Sequence, residues 1–330
     1  MSGRHGRVIG LDIGNYRLKV ATGEGSGARV VAARLPDNLV KGNEIVAFEA
    51  MAQFIKESLK KARISPGKCA IVLPNGLYHL RRTKVAAMTT GQLKVNLPYE
   101  FHDYIAQDTD SYVYDYLVLG NDGNELDIMA AALQKDRMYR FERMCRDAGL
   151  KLTGIVPDVL CLQNMVQRYM EISGQENGDY VILDIGHLST TLTFFRDGVY
   201  EISRDMSFGG ESISRKVADD SGVDIHIAQL NVEKNQNDVL KSEPLREIYE
   251  NIATEINRVL NFYNYNNPGN KIECIYFCGG GSHVAPLMQT ITNTTGMAMR
   301  SVSELIDVGR NSGSKADYAS SPQAFGVMLQ

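Results

Sequence analysis

The sequence predicts an α/β protein made of two duplicated domains that face each other across a cleft. Two observations lead to this prediction. An apolar strand that ends in an Asp-x-Gly bend and is followed by a second strand occurs at "RVIGLDIGNYRLKV" and again, 172 residues later, at "YVILDIGHLSTTLTFF". Strand-like segments also alternate with amphipathic helical segments, which is typical of α/β folds. Because the spacing is close to half of the 330 residues, it indicates an internal duplication.

Strand and helix patterns place the elements of the first half. Strands are predicted at 8–11, 18–22 and 28–34, followed by an amphipathic helix over 48–62 and a buried strand at 69–74. The next stretch has the pattern of an inserted α/β piece, and a helix at 157–172 leads back from it. The elements of this piece are strands at 78–86, 115–120 and 126–133 and helices at 91–107 and 136–148.

The second half repeats the strand pattern and adds longer helices. Strands are predicted at 179–185, 190–196 and 199–206, and a helix follows Gly209 and Gly210. The remaining predicted elements are a long amphipathic helix over 245–265, a strand at 274–278 that meets three glycines, and a surface loop at 309–317.

Composition and charge narrow the class of protein. The formal net charge of −4 argues against a broad basic face, so nucleic acid is not an expected partner. No apolar stretch approaches the roughly 20 residues that span a bilayer, and the N-terminus lacks the apolar segment of a signal peptide. The five cysteines form no CxxC pair and the six histidines no HExxH spacing, so buried thiols and no transition-metal site are expected. We therefore expect a cytoplasmic protein without direct membrane insertion.

The two Asp-x-Gly bends suit a clamp for a polyphosphate. Asp12 with Gly14, and Asp184 with Gly186, stand at the ends of buried strands, where an unpaired carboxylate is costly. Glycine lets backbone N–H groups approach phosphate oxygens, and a hydrated magnesium ion beside Asp12 and Asp184 would offset the cost of burying them. The alternative is that Asp-x-Gly is only a common turn signature. Two copies near half-chain spacing favour the clamp.

Two further glycine turns follow strands in the second half. "SFGGES" (207–212) opens a helix, and helix N-termini attract anions. "YFCGGGSHVAPL" (276–287) would let a flat ring or a ribose lie against bare backbone, although a tight strand-to-helix connection explains it equally well. No GxxxxGK[ST] motif occurs, so the usual phosphate-binding loop is not present in the sequence.

In this order, the two bends and the two glycine turns resemble the actin-like ATPase superfamily, in which a nucleotide lies between two domains. Within it, the chain resembles the PilM family of type IV pilus assembly proteins, a relative of FtsA. The likeness covers nearly the whole chain and implies an actin-like fold with an FtsA/PilM-type inserted subdomain. It is carried by "GLDIGNYRLKVA", "LPYEFHDYI", "RDMSFGGESI" and "EINRVLNFY".

The resemblance implies a division of the chain into four parts. They are a first actin-like domain of 5–76 with 155–177 and 318–330, an inserted subdomain of 77–154, a second actin-like domain of 178–211 with 273–317, and its helical subdomain of 212–272.

The resemblance also implies a site for ATP and magnesium. The positions that would face the β- and γ-phosphates are Asp12, Asn15 and Lys19; those that would close the other side are Asp184, Gly186, Ser189, Thr190 and Thr191. Gly209, Gly210 and Glu211 would lie near the ribose and phosphates. Glu255 and Arg258 would contribute to the wall beside the nucleoside, and Gly280 and Gly281 would support the adenosine. For Glu255 and Arg258 the alternative is an exposed ion pair within a helix, and for Lys19 a solvated strand lysine.

A hydrolytic group is harder to identify. In "GIVPDVLCLQ", Val156 stands where relatives often carry an acid, and Asp158 stands in for a second one. Asp158 is therefore the candidate catalytic residue that would act on an attacking water. The alternative is that it caps the following helix. We expect at most a slow ATPase.

The leading interpretation is an ATP-binding, actin-like scaffold of type IV pilus assembly. By resemblance, it would bind the N-terminal tail of a PilN-type inner-membrane protein in a groove near residues 77–155. It would also contact other pilus assembly components and reach the membrane through its partner. Two alternatives stay open: a filament-forming ATPase like FtsA or ParM, which would pellet with ATP, and a small-molecule kinase, which would phosphorylate a sugar.

Overall fold

Strands and helices alternate along the chain, and the computed structural model describes residues 8–23, 29–105, 108–306 and 319–329. The elements of the first half are β1 (Ile9–Ile13), β2 (Arg17–Thr22), β3 (Arg29–Arg34), β4 (Val40–Lys41), β5 (Glu44–Ile45), α1 (Phe48–Lys61), β6 (Lys68–Leu73), β7 (His79–Ala86), α2 (Thr90–Glu100), β8 (Tyr112–Asn121), β9 (Glu125–Gln134), α3 (Lys135–Asp147), β10 (Lys151–Pro157) and α4 (Asp158–Ser173). Those of the second half are β11 (Tyr180–Ile185), β12 (Thr190–Arg196), β13 (Val199–Met206), α5 (Gly210–Ser221), α6 (Ile225–Glu233), α7 (Glu243–Asn266), β14 (Cys274–Cys278), α8 (Ala285–Thr295), β15 (Ala298–Ser301), α9 (Ser303–Ile306) and α10 (Pro322–Gly326).

The first sheet is built around β1. Strands β1, β2 and β3 form an antiparallel meander, and β6 and β10 extend the sheet in parallel on the other side, giving the order β10-β6-β1-β2-β3. All five residues of β1 are buried, as its apolar run predicts. Helix α1 adds Met51, Ile55 and Leu59 to the same core, and this spacing matches one face of a helix.

The second sheet repeats this topology. Strands β11, β12 and β13 form the antiparallel meander, and β14 and β15 continue from β11 in parallel, giving the order β13-β12-β11-β14-β15. The long helix α7 covers this sheet with a buried face that includes Leu245, Tyr249 and Ile256. The two halves therefore share one arrangement of strands, and the predicted duplication is confirmed.

A third, smaller sheet lies between β6 and α3 in the chain. Its three strands are antiparallel in the order β7-β9-β8, and α2 packs on it through Leu93 and Leu97. The helix predicted over 91–107 is shorter than expected and ends at Glu100, close behind Pro98. Beyond Glu100, the N–H groups of Phe101, His102 and Tyr104 bond to carbonyls three residues back, so tighter turns replace the regular helix.

Helix α3 connects this smaller sheet to the first one. It belongs to the expected subdomain of 77–154, yet its Phe141, Met144 and Cys145 contribute to the core under the first sheet. Strand β10 already pairs with β6 from Lys151 onwards. The expected domain boundaries stay a prediction, and the packing places α3 with the first sheet.

Three further predictions from the sequence concern the state of the cysteines, the presence of membrane-spanning helices and a loop at 309–317. All five cysteines are buried and unbridged, as expected. Over the described ranges, none of the helices has the length and apolar character needed to cross a bilayer. The surface loop expected at 309–317 lies outside the described residues.

Candidate functional site

A cavity of about 1350 Å³ lies where the two main sheets bring their bends together. Its walls come from both halves of the chain, including the bends after β1 and β11 and the turn after β14. The sequence-predicted residues that line it are Asp12, Gly14, Asn15, Lys19, Asp158, Asp184, Gly186, Ser189, Thr191, Gly210, Gly280 and Gly281.

The first bend carries an ion pair. Asp12 faces Lys19 across the β1–β2 hairpin, and Lys19 Nζ donates to Asp12 Oδ2 at 2.8 Å. Asp12 is 9% exposed. Burial alone would lower the pKa of Lys19, but the carboxylates of Asp12 and Asp184 outweigh it, so the pKa lies above its ordinary value. Lys19 is therefore a charged partner of both acids, not a solvated strand lysine.

The second bend lacks a cation of its own. Asp184 faces Thr191 across the β11–β12 hairpin. Burial raises the pKa of Asp184, the charge of Lys19 from the first bend opposes that rise, and Gln323 Nε2 donates to Asp184 Oδ2 at 2.6 Å. Because Lys19 acts on both carboxylates, the two acidic bends share one site.

The donor set suits a hydrated magnesium ion more than a metal held by a full protein cage. Among the described residues, no group of three or more His, Cys, Asp and Glu side chains could hold a metal ion. Magnesium keeps several waters and needs few direct carboxylates. The oxygens of Asp12 and Asp184 fit that requirement, and the side-chain oxygen of Gln323 beside them is buried without a hydrogen-bond partner in the described part of the chain.

Asp158 lies at the start of α4 and faces the same cavity. Its carboxylate accepts hydrogen bonds from Tyr78 Oη at 2.6 Å, Asn75 N at 3.1 Å and Val159 N at 2.9 Å. The cap position itself is Pro157, so Asp158 is the first helical residue. Burial raises the pKa of Asp158 to about 6, although these three donors favour the ionised form.

The glycine turn after β14 is tighter than the sequence indicates. Gly279, which the predicted site does not include, has a φ of +84°, where side chains other than glycine are strained. A Cβ atom there would lie 2.5 Å from the Ile185 carbonyl oxygen and would also collide with Asp184 Oδ1. This turn therefore packs directly behind the second acidic bend.

Several predicted residues lie outside the cavity lining. The N-terminus of α5 docks on the second bend, because Glu211 N donates to His187 O at 2.9 Å and the backbone of Gly209 lies against the same carbonyl. Thr190 is fully buried and donates to Phe208 O. On α7, Glu255 and Arg258 form the intrahelical ion pair of the alternative interpretation, with the Arg258 side chain 74% exposed. Their role at a nucleoside stays a prediction.

An aromatic contact that the sequence analysis missed closes one side of the cavity. The rings of Tyr16 and His187, one from each bend, stack at 4.5 Å between centroids. Glu233 of α6 accepts from Tyr16 Oη and from Arg17 Nη2, both at 3.0 Å. Burial lowers the pKa of His187, so the ring is neutral at pH 7. The available signal was a ring within four residues of each aspartate.

Comparison with solved structures identifies the fold. A chain of a PilM–PilN type IV pilus biogenesis complex matches with a TM-score of 0.80 and 22% identity over 98% of this chain and 97% of that one. The ethanolamine utilization protein EutJ of Carboxydothermus hydrogenoformans matches with a TM-score of 0.59 and 13% identity over 98% and 89% of the two chains. A Bacteroides thetaiotaomicron protein with an actin-like ATPase fold matches with a TM-score of 0.51 and 6% identity over 98% and 96%.

The family is identified from the sequence pattern. The model of the family described as type IV pilus assembly protein PilM matches residues 10–316, which is nearly the whole chain. The neighbours above share the actin-like ATPase fold, so family and fold agree. The chain therefore belongs to the PilM family of type IV pilus assembly proteins and has the actin-like ATPase fold.

Proposed function

We propose that this protein binds ATP with magnesium between its two sheets and acts as a scaffold of type IV pilus assembly. One observation carries the proposal: an acidic bend from each sheet lines the same cavity, together with Lys19, whose ammonium group pairs with Asp12 and whose pKa is also raised by the charge of Asp184. A cavity of about 1350 Å³ has room for a nucleoside triphosphate, since ligand sites are typically about 300–1,000 Å³.

The residues of the two bends would bind different parts of the ATP–magnesium complex. Backbone N–H groups beside Gly14 and Gly186 would donate to phosphate oxygens, and Lys19 would add a positive charge. Asp12 and Asp184 would hold the waters of a magnesium ion, which neutralises triphosphate charge when bound. Asn15 already accepts a 2.9 Å hydrogen bond from Asn43 N, so its side chain is fixed at the edge of the cavity.

Asp158 would act on an attacking water during hydrolysis. A pKa of about 6 leaves its carboxylate ionised at neutral pH and more basic than an ordinary aspartate. However, three donors already engage its oxygens, which reduces its capacity to accept a further proton. We therefore propose slow hydrolysis at most, with nucleotide state regulating assembly.

The proposed partner is the N-terminal tail of a PilN-type inner-membrane protein, because the structural neighbour is a complex of PilM with PilN. A second cavity, of about 270 Å³, lies between the smaller sheet and β13. Its lining combines Arg81 with the aromatic residues Phe101, Tyr104 and Tyr200, which suits a short peptide. Binding there would place the protein on the cytoplasmic side and recruit it to the membrane, together with other pilus components.

Isothermal titration of this chain with ATP, and then with a synthetic PilN-type tail, tests the proposal. We expect magnesium-dependent ATP binding that weakens about tenfold in Asp184→Asn and stays unchanged in Asp115→Asn, an exposed carboxylate of β8. We expect Tyr104→Ala to weaken tail binding, and Tyr265→Ala, an 86% exposed tyrosine of α7, to leave it unchanged.

ATP binding, tail binding and the coupling between them would each be contradicted by a different result. Absence of ATP binding to the unmodified chain would remove the nucleotide function, and absence of tail binding would remove the scaffold function. If the tail binds with equal affinity in the presence and absence of ATP, the two sites are not coupled. ATP can change the affinity for the tail only if it binds the tail-bound and tail-free protein with different affinities.

A further inference from the structure

Gln323 is a buried residue whose side-chain amide makes a hydrogen bond through its nitrogen but not through its oxygen within the described residues. Gln323 is 7% exposed, lies in α10 and lines the main cavity. Its Nε2 donates to Asp184 Oδ2 at 2.6 Å. Its Oε1 is buried and has no hydrogen-bond partner within the described ranges. A buried carbonyl oxygen without a partner destabilises a fold, so this atom points to a ligand.

The orientation of the Gln323 amide follows from chemistry. An ionised carboxylate only accepts hydrogen bonds, so the amide must turn its NH2 group to Asp184 and its oxygen away from it. The helix that carries Gln323 is also fixed. Ala324 and Val327 are fully buried, and Asn164 Nδ2 donates to Gly326 O at 3.2 Å. The free oxygen therefore stands at a fixed point beside the second acidic bend.

We propose that Gln323 is a positioning residue for the magnesium ion of the nucleotide site, and that its Oε1 accepts a hydrogen bond from a metal-bound water. The inference rests on the proposed ATP–magnesium function. Asp184 and Gln323 then form one unit, in which the amide NH2 holds the carboxylate and the amide oxygen holds the water. This assigns a metal-site role to a residue of the C-terminal helix that no motif of the sequence marks.

The type of ligand follows from what the oxygen can do. An amide oxygen only accepts, so its partner must be a donor, and the fully ionised phosphates of ATP carry no proton to donate. Water on a divalent cation is a strong donor, and the neighbouring carboxylate favours a cation at this place. The ribose hydroxyls and the adenine amino group are the remaining donors on the nucleotide, and the test distinguishes them by their independence of magnesium.

The experiment measures the affinity for ATP with magnesium chloride and with EDTA, and compares the two. The variants are Gln323→Met, which keeps the length of the side chain and loses both polar atoms, and Gln323→Glu, which keeps an acceptor and loses the donor. Gln163→Met is the matched control: Gln163 is also fully buried with one unpartnered amide atom among the described residues, and it does not line the cavity.

Magnesium should increase the affinity for ATP less in Gln323→Met than in the unmodified chain. We expect this increase to be smaller by a factor of roughly 10–100, as found when residues that contact metal ligands are replaced at other metal sites. Affinity in EDTA should stay within about twofold, which is within RT in free energy. Gln323→Glu should keep the magnesium effect, and Gln163→Met should match the unmodified chain. Thermal melting confirms that each variant is folded, and Gln323→Asn, whose oxygen is one methylene shorter, replaces Gln323→Met if that variant does not fold.

Three results would overturn the inference and leave the proposed function intact. The first is an unchanged magnesium effect in Gln323→Met. The second is an equal loss with magnesium and with EDTA, which indicates a contact with the ribose or the adenine amino group. The third is an equal loss in Gln323→Glu, which indicates that only the bond to Asp184 matters. Absence of ATP binding to the unmodified chain would overturn both the function and the inference.

Discussion

The two acidic bends share a backbone and differ in charge. In each, the aspartate faces the residue seven positions later across its hairpin, so Asp12 faces Lys19 and Asp184 faces Thr191. Lys19 gives Asp12 an ion pair at 2.8 Å. Thr191 instead donates its hydroxyl to Asp205 at 2.7 Å and leaves Asp184 without a cation from its own hairpin. The duplication repeated the turn and placed the positive charge in one copy only.

Because of this difference, the duplicated fold forms a polar site that is not symmetric. The ammonium group of Lys19 interacts electrostatically with Asp12 of the first sheet and Asp184 of the second. The charge of the second bend is therefore partly balanced by a residue of the first. At the second bend a neutral donor takes the place of that cation, and it comes from α10, which packs against β1 of the first sheet. A bound cation would meet a cleft whose negative charge is only partly balanced by Lys19, which favours cation binding at the second bend.

The largest expected effect comes from removing the shared cation. Lys19→Met keeps the length of the side chain and removes the positive charge that acts on both Asp12 and Asp184. Breaking one partner of a buried ion pair costs about 3 kcal/mol, so we expect the free energy of unfolding to fall by about that amount. Urea denaturation monitored by circular dichroism measures it.

Thr191→Val is the matched substitution in the second hairpin. It removes one hydroxyl hydrogen bond and no charge, so we expect a loss of about 1 kcal/mol or less. Equal effects of Lys19→Met and Thr191→Val would contradict the asymmetry between the bends, since the comparison depends on Lys19 acting on two carboxylates.

The glycines of the two bends give the next comparison. A Cβ atom at Gly186 would lie 2.8 Å from the Ser189 carbonyl oxygen, whereas one at Gly14 would lie 3.4 Å from that of Arg17. A side chain at Gly186 would force the backbone to move, whereas the 3.4 Å separation at Gly14 is an ordinary van der Waals contact. We expect Gly186→Ala to lower the free energy of unfolding by about 2 kcal/mol and Gly14→Ala to change it by less than about 0.5 kcal/mol. Thermal denaturation of both variants decides this, and a larger loss in Gly14→Ala would contradict the geometry.

The sequence was sufficient for the hairpins of both sheets because their signals are local, whereas the edge strands β10 and β15 were not predicted. The apolar runs of β1 and β11, each ending in Asp-x-Gly, predict both hairpins, and helical spacing predicts α1 and α7. The end of α2 was misplaced because apolar residues continue at helical spacing past Glu100, and the pattern does not show the change to tighter turns there.

Predicted residues from both halves of the chain line the cavity, but a contact between two side chains could be inferred only within one hairpin. Asp12 and Lys19 are close in sequence, so their pairing follows from the strand period. Gln323 lies 139 residues from Asp184, and its contact depends on how α10 packs in the whole fold. The stacking of Tyr16 on His187 depends likewise on the relative position of two sheets, which no local pattern specifies.

The smallest effect concerns the third acid of the cavity, Asp158, which has neutral donors where Asp12 has a cation. Its pKa rises from 3.8 to about 6 on folding. A carboxyl whose pKa is higher in the folded state stabilises the fold below its unfolded pKa, and that stability is lost as the pH rises to about 6. The full linkage value is about 3 kcal/mol, and water in the cavity reduces it, so we expect about 1 kcal/mol.

Asp158→Asn should therefore stabilise the protein by about 1 kcal/mol at pH 8 and by nearly nothing at pH 4, because asparagine never ionises and keeps the acceptor oxygen for Tyr78 and Val159. Urea denaturation of both proteins from pH 4 to pH 8 measures the difference, which should grow up to about pH 6 and then stay constant. Tyr78→Phe, which removes the 2.6 Å donor to Asp158, should move the end of this rise to higher pH. A difference that is independent of pH would mean that the donors around Asp158 balance its charge as completely as Lys19 balances that of Asp12.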